Sequence, residues 1–297
     1  MKNDKKQRYK GMLWIVLAAC GYGSMALFAR LAYADGVDTT SLLALRFLLA
    51  ALFLGLWVKK QHIPVPQGRD RWAFAGLGAL FASMAWTYFS ALHYASSGLV
   101  ALLVYVYPVM VAVLGGLLGL DRFGRAETLA LLACSAGLYM LLGHALHAGN
   151  PLGIALPLLS GLLYAVYILC NSRFGQGAHP LGAAWVVICS AAVIDSAIAL
   201  AMHLTLPASP TGWGALLALA CFSSALANSA FLIGLRHVGP TMASVLSTLE
   251  PVVTVSLGIA FLGESLSPSA LLGSLLVLGA ASGLALARAR FVPSCPT

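Results

Sequence analysis

Lysine and arginine avoid every second connection between the apolar stretches of this chain. Ten such stretches can be drawn, at residues 11–33, 40–58, 72–92, 98–119, 126–143, 151–171, 181–202, 213–235, 241–262 and 269–287. If the connections are numbered alternately from the N-terminus, one set carries 15 of the 17 lysines and arginines and the other set carries none. Because cytoplasmic connections of membrane proteins are enriched in these residues, the pattern predicts ten membrane spans with both termini in the cytoplasm.

The composition agrees with a membrane protein. The chain is 60% hydrophobic and only 9% charged, whereas soluble proteins carry about 25% charged residues. Each stretch is long enough for a helix to cross the hydrocarbon core, and only helices satisfy their own backbone groups there. The predicted class is therefore an all-α membrane protein, with the lipid bilayer as its surroundings. The net charge of +8 lies mostly in predicted cytoplasmic segments and does not indicate nucleic-acid binding.

The two halves of the chain repeat one another at a constant shift of 143 residues. Arg30 corresponds to Arg173, Pro108 to Pro251, and Leu114-Gly115 to Leu257-Gly258. The predicted organisation is a tail at 1–10, a first five-helix repeat at 11–143, a second at 150–287 and a tail at 288–297. Because five is an odd number, the second repeat must enter the membrane inverted. Inverted repeats are typical of secondary transporters that work by alternating access.

Proline interrupts the fourth and ninth spans at matching places, Pro108 and Pro251. Proline removes a backbone donor, and in lipid the freed carbonyls need partners from neighbouring helices or a water-filled cavity. Matched interruptions indicate a central site, so these prolines are predicted helix breaks with a role in gating. A packing kink without a ligand is the alternative.

Several short motifs together resemble a known family. They are Leu45-Arg46-Phe47 in the second span, the Tyr107-Pro108 and Glu250-Pro251 steps, and the loop acids Asp121 and Glu264. With the ten spans in two repeats, this pattern resembles the drug/metabolite transporter superfamily and, within it, the EamA-like branch. The resemblance implies a ten-helix inverted-repeat fold with a central cavity, lined chiefly by spans other than the fifth and tenth. It also implies export of small metabolites, and Asp121, where many members have Glu, is expected to be structural.

Ionisable residues inside a membrane are costly and are functional candidates by default. Glu250 lies nine residues into its span, or about 14 Å deep at the helical rise. It is predicted either to bind an ammonium group or a proton in the cavity, or to cap the restarted helix as a structural carboxylate. Asp195 is predicted either to line the site or to pair with polar groups within the bundle.

Arg30 and Arg46 lie toward the predicted outer face, against the charge bias of the chain. Each is therefore expected to have a partner, and Asp35 and Asp38 in the intervening loop are the simplest candidates. The two arginines are predicted to be either structural or part of an outer vestibule that attracts a carboxylate.

Deep aromatic and polar residues complete the predicted substrate cavity. A tyrosine in lipid must place its hydroxyl, so deep tyrosines favour the interior of the bundle. The predicted lining is Tyr22, Trp86, Tyr105, Tyr107, Tyr164, Tyr167, Ser224, Asn228 and Glu250. Ser160, Tyr164, Tyr167 and Asn171 form one stripe at helical spacing. For each stripe, helix packing with polar contacts is the alternative.

The sequence gives no sign of a cofactor, a metal or ATP hydrolysis. Its six cysteines contain no CxxC pair, its histidines are scattered, and no GxxxxGK[ST] loop is present.

Cys20 follows Leu17-Ala18-Ala19 as in a lipoprotein signal, but the apolar run continues to Tyr33 and we expect this segment to be retained. An intramembrane enzyme does not need the repeat, so catalysis is not expected. A homodimer through the two peripheral spans is an open alternative to a monomer.

The predicted function is export of a small-molecule substrate across the inner (plasma) membrane by a multi-pass secondary transporter. A cavity of tyrosines with one carboxylate suits a zwitterion with an apolar or aromatic side chain, and the resembled family includes aromatic amino-acid exporters. Lipophilic cations or drugs, with Glu250 as counter-ion, are the alternative, followed by sugars or nucleobases. Phosphorylated substrates need more cations than Arg30 and Arg46 provide.

Overall fold

The computed structural model describes residues 2–91, 94, 100, 103–120, 124–142, 150–174, 177–262 and 268–290, and every regular element in these ranges is a helix. The helices of the first half are α1 (Lys2–Gly23), α2 (Met25–Ala34), α3 (Thr39–Lys60), α4 (Gly68–Ala91), α5 (Tyr107–Leu117) and α6 (Arg125–Leu142). Those of the second half are α7 (Leu152–Phe174), α8 (Pro180–Ala201), α9 (Pro210–Ala218), a π-helix (Leu219–Leu226), α10 (Ala227–Val238), α11 (Pro240–Ser247), α12 (Glu250–Leu262) and α13 (Pro268–Arg290).

Seven helical segments of the described chain are long and apolar enough to cross a membrane. They are Lys6–Ala34, Thr39–Lys60, Gly68–Ala91, Leu152–Phe174, Pro180–Ala201, Pro210–Val238 and Pro240–Gly258. Shorter apolar helices cover Tyr107–Leu117, Thr128–Met140 and Leu271–Ala280. The predicted all-helical class is confirmed for the described residues, and these seven segments fit a membrane protein by length and composition. The number of ten spans and the side on which each terminus lies stay predictions.

The helix breaks lie at the two predicted prolines. A turn at Tyr105 and Val106 precedes α5, and a turn at Thr248 and Leu249 precedes α12. Pro108 and Pro251 therefore each occupy the first turn of a new helix, where the missing backbone N–H has no intrahelical partner to lose. The prolines start helices here rather than kinking continuous ones.

A further break, between α1 and α2, was not predicted from the sequence. Ser24 separates the two helices, and its hydroxyl donates to the carbonyl of Gly21 at 2.7 Å. The hydroxyl of Thr254 on α12 donates to the carbonyl of Gly23 at 2.9 Å. Neighbouring side chains thus satisfy the carbonyls that the break releases, as a membrane interior requires.

The π-helix at Leu219–Leu226 is the second unpredicted irregularity. It joins α9 to α10 without a turn, so the three segments form one continuous helical segment. The hydroxyl of Ser224 donates to the carbonyl of Leu219 at 3.2 Å, and that of Ser223 lies 3.1 Å from the hydroxyl of Ser24. The π-helix therefore faces the break between α1 and α2, and π segments occur frequently at functional sites.

The main helix contacts connect the two halves of the chain. Helix α1 packs against α10, α4 against α7 and α8, α3 against α8, and α6 against α13. Small residues allow close approach: a methyl group added to Gly137 of α6 would lie 2.8 Å from the carbonyl oxygen of Gly273 on α13. The outer faces of this last pair expose Leu129, Leu132, Leu272 and Leu275. Since lipid covers such a face in a membrane, α6 and α13 form a peripheral pair.

Candidate functional site

Five of the predicted cavity tyrosines come together in the structure. Tyr22 comes from α1, Tyr105 from the turn before α5, Tyr107 from the first residue of α5, and Tyr164 and Tyr167 from α7. Ring centroids are 4.7 Å apart for Tyr107 and Tyr164, 6.1 Å for Tyr164 and Tyr167, and 6.2 Å for Tyr105 and Tyr107. Tyr107 and Tyr167 are fully buried. We call these five residues the tyrosine cluster.

Glu250 meets the tyrosine cluster at the first residue of α12. Its Oε2 accepts a hydrogen bond from the hydroxyl of Tyr105 at 3.3 Å, while its buried Oε1 has no hydrogen-bond partner among the described residues. The Tyr105–Glu250 contact therefore joins the two proline-associated breaks, one from each half of the chain.

Asn228 meets the tyrosine cluster from the other side, at the start of α10 just after the π-helix. Its Oδ1 accepts hydrogen bonds from Tyr167 at 2.9 Å and from Tyr22 at 3.4 Å. Its amide nitrogen Nδ2 is buried and has no partner within the described ranges. Since the oxygen is doubly used and the nitrogen is not, this amide retains a free hydrogen-bond donor.

Arg46, Trp86 and Asp195 form a polar group on α3, α4 and α8. The indole N–H of Trp86 donates to Asp195 Oδ1 at 2.9 Å. Arg46 is 4% exposed, donates from Nη1 to the thioether of Met25 at 2.8 Å, and lies 4.2 Å above the ring centroid of Phe47. Arg46 and Asp195 attract one another electrostatically, although no described carboxylate comes within 4 Å of the guanidinium. The buried Nε of Arg46 and Oδ2 of Asp195 lack partners in this part of the structure.

The prediction that Asp35 or Asp38 pairs with Arg46 is wrong. Asp38 is the N-cap of α3, and its carboxylate accepts from the backbone N–H of Ser41 at 2.9 Å. It is thus turned toward the first turn of α3, whereas Arg46 lies two turns deeper. Asp35 accepts instead from the backbone N–H of Ser209 at 2.9 Å. Arg30 lies on α2 with an exposed side chain.

Asp35 and Asp38 connect the loop between α2 and α3, in the first half, to the loop between α8 and α9, in the second half. Asp38 also accepts from the hydroxyl of Thr205 at 2.6 Å, and the backbone N–H of Thr205 donates to the hydroxyl of Ser41 at 2.8 Å. We call Asp35, Asp38, Ser41, Thr205 and Ser209 the loop clamp. Partial burial alone raises the pKa of Asp38, but the hydrogen bonds from Thr205 and Ser41 outweigh it and hold that pKa well below its ordinary value. The hydrogen bond from the Ser209 backbone likewise lowers the pKa of Asp35.

Other predicted polar residues bond to backbone carbonyls. Ser160 donates to the carbonyl of Met84 at 3.0 Å, and Asn171 to that of Tyr167 at 2.9 Å. Ser224 bonds within the π-helix, as described above. The stripe on α7 therefore divides into tyrosines that build the cluster, a serine that bonds to α4 and an asparagine that bonds within α7 itself.

Some predictions fall outside the described residues, and some contributors were missed. The loop acids Asp121 and Glu264 lie outside the described ranges. Sequence reasoning missed the contact of Ser223 with Ser24 and the hydrogen bond from Thr254 to the carbonyl of Gly23. The run Gly21-Tyr22-Gly23-Ser24 was the available signal, since glycine and serine weaken a helix.

The chain is similar to known proteins along nearly its whole length. A family model described as EamA-like transporter family matches residues 9–143 and again residues 151–286. An uncharacterized protein of Pseudomonas aeruginosa is 29% identical over 273 residues, which cover 90% of this chain and 92% of the relative. An uncharacterized inner membrane transporter of Escherichia coli, YedA, is 30% identical over 177 residues, which cover 58% of this chain and 56% of that protein.

A solved crystal structure has the same fold. It superposes with a TM-score of 0.83 at 20% sequence identity, and the match covers 93% of this chain and 96% of the other. The two matches to the family model, which together cover most of the sequence, confirm the resemblance stated from the motifs. The chain belongs to the EamA-like transporter family.

Proposed function

We propose that the protein is a secondary transporter that exports small metabolites across the inner membrane, chiefly aromatic or other apolar amino acids. The observation that carries the proposal is the contact between Tyr105 and Glu250. It places a carboxylate and an aromatic cluster where two broken helices of the two halves meet. Broken helices near the middle of the membrane are where transporters of this general design bind their cargo.

The arrangement of helix contacts supports two inverted repeats. Under the shift of 143 residues, the contact of α1 with α10 corresponds to the contact of α7 with α4. Under the same shift α3 and α8 are counterparts of one another, and so are α6 and α13, so each of these two contacts joins a helix to its own counterpart. A two-fold relation between halves produces this pairing, and the family model also matches each half separately. We infer ten spans and alternating access between the halves. We also infer that both termini are in the cytoplasm, because they lie on the same side as the connections that carry arginine.

The chemistry of the cluster supports an amino acid as cargo. The five tyrosines make an apolar and aromatic environment beside Glu250, whose Oε1 has no partner among the described residues and offers an acceptor for an ammonium group. A cation held by aromatic rings and a carboxylate is a recurring arrangement. We propose transport without catalysis and without a bound cofactor. The inner membrane as location is supported by the name of the relative YedA.

Lipophilic cations are the second candidate class, because the same tyrosines and Glu250 also suit a drug-like cation. Inhibition by tetraphenylphosphonium separates the two classes. If transport of amino acids is absent and tetraphenylphosphonium itself is carried, the cation assignment replaces the amino-acid assignment.

The experiment that tests the proposal is counterflow in proteoliposomes that contain the purified protein. Vesicles are loaded with unlabelled phenylalanine, tryptophan, methionine, threonine or lysine, and uptake of the labelled compound is followed with and without a pH gradient. We expect saturable exchange of the aromatic amino acids. No exchange of any amino acid by folded protein sinks the amino-acid assignment and leaves drugs, sugars and nucleobases to be tested.

A further inference from the structure

Arg46 has hydrogen-bonding capacity that the described fold leaves unfilled. Its Nη1 bonds to the thioether of Met25, which is a weak acceptor, and its buried Nε has no partner among the described residues. A guanidinium carries five N–H donors and remains charged in proteins. Burying such a charge without a hydrogen-bonded anion is costly, so an unfilled buried arginine is a position where an anionic ligand gains binding energy.

Asp195 does not fill this capacity. It attracts Arg46 electrostatically, but its Oδ1 accepts the indole N–H of Trp86. Its Oδ2 is buried and makes no hydrogen bond to the guanidinium. Among the described residues, the Nε donor of Arg46 therefore stays open to a second acceptor.

Tyr22 connects Arg46 to the rest of the candidate site. Its hydroxyl donates to Asn228 at 3.4 Å, and the residues that follow it touch both charged groups. Arg46 Nη1 donates to the thioether of Met25 at 2.8 Å, and a methyl group added to Gly23 would lie 2.8 Å from the carbonyl oxygen of Glu250. The break between α1 and α2 thus contacts one residue with an open cationic donor and one with an open carboxylate oxygen, as far as the structure is described. A ligand that bears a carboxylate and an ammonium group satisfies both, and a lipophilic cation satisfies one.

We propose that Arg46 binds the carboxylate of the substrate and that Glu250 faces its ammonium group. The proposal makes a carboxylate a requirement for tight binding, and so selects amino acids over lipophilic cations. A guanidinium suits this role because it can hold both oxygens of a carboxylate in parallel. The inference rests on the proposed function for its biological meaning, but it can be tested by binding alone.

The test measures the affinity of the purified protein in detergent for two half-ligands by calorimetry. The half-ligand 3-phenylpropanoate has the carboxylate without the amine, and 2-phenylethylamine has the amine without the carboxylate. For Arg46→Gln we expect binding of 3-phenylpropanoate to weaken by about tenfold or more, because a charge-assisted pair is lost, with 2-phenylethylamine little changed. Glu250→Gln should show the reverse. Arg69→Gln, near the start of α4, is the control and should bind both as the wild type does.

A measurement on the wild type keeps the proposal testable if Arg46→Gln does not fold. The neutral amide of 3-phenylpropanoate has the same shape without the charge, and we expect it to bind about tenfold more weakly. Equal affinities for acid and amide, absent binding of the acid, or unchanged binding of the acid by folded Arg46→Gln each overturns the inference. If amino-acid counterflow is still observed in those cases, the inference about Arg46 is wrong and the proposed function is retained. If the protein binds carboxylates selectively but shows no counterflow, the transport function is wrong and the inference about Arg46 is retained.

Discussion

The indole N–H of Trp86 donates to Asp195 Oδ1 at 2.9 Å and thereby joins α4 of the first half to α8 of the second. Asp195 is 1% exposed, and its other oxygen has no partner among the described residues. This single hydrogen bond therefore satisfies one oxygen of a carboxylate that the fold has removed from water. The contact also gives Trp86, predicted as cavity lining, a defined neighbour in the other half of the chain.

Trp86→Phe should destabilise the protein by about 1–3 kcal/mol, since it leaves a buried acceptor without its donor. Thermal unfolding of the purified protein in detergent measures the effect. Trp72→Phe is the matched control, because Trp72 is 79% exposed and should lose little. Equal unfolding midpoints for wild type and Trp86→Phe would show that the hydrogen bond does not matter for stability.

Glu250→Gln should lower amino-acid counterflow by about tenfold or more, because an ion pair with the substrate ammonium becomes a neutral hydrogen bond. Tyr105→Phe removes the hydroxyl that bonds to Glu250 but keeps the charge, and should retain counterflow within a few-fold. Initial rates in proteoliposomes compare the two. Wild-type rates in folded Glu250→Gln would leave the carboxylate with a structural role at the start of α12.

The parts of the fold that follow from local patterns could be predicted from the sequence. Seven helical segments of the described chain have the length that lipid demands. Pro108 and Pro251 each lie in the first turn of a new helix because proline is tolerated there. The tyrosine cluster followed from the same reasoning, since a deep hydroxyl needs partners inside the bundle. These features depend on each residue and its neighbours in sequence.

Features that depend on distant partners were missed. The break at Ser24 is held by Ser223 and Thr254, which lie 199 and 230 residues further along the chain by residue number. The sequence Asp38-Thr39-Thr40-Ser41 contains a helix-capping signal. That signal predicts that Asp38 caps α3 and is therefore not the partner of Arg46. The additional bond from Thr205 could not be found this way, because it comes from a loop of the other half.

Asp38→Asn should destabilise the protein at neutral pH by about 1–2 kcal/mol, because the neutral amide is a weaker acceptor for Ser41 and Thr205. The pKa of Asp38 is lower in the folded protein than in the unfolded chain. Its stabilisation is therefore present above the unfolded value of about 4 and is lost as the pH falls through the folded value.

The difference in unfolding midpoint between wild type and Asp38→Asn should accordingly shrink as the buffer is made more acidic than about pH 4. Asp70→Asn, at an exposed acid near the start of α4, is the control and should show little difference at any pH. A difference for Asp38→Asn that stays constant from pH 7 to acid would mean that the loop clamp does not depend on the charge of Asp38.

Gly234→Ala should destabilise the contact between α1 and α10 by about 1–3 kcal/mol through overpacking. A methyl group at this position would lie 2.6 Å from Cδ1 of Ile15 and 2.8 Å from the carbonyl oxygen of Gly11, so a side chain and a backbone must both shift. Gly214→Ala is the matched control, because a methyl group there meets nothing within 4 Å and alanine favours a helix over glycine. The first variant should therefore unfold at a lower temperature than the wild type and the second at the same or a higher one. If both glycines tolerate alanine equally, the two helices are not as close as the structure places them, and the pairing of α1 with α10 that underlies the inverted-repeat proposal loses its support.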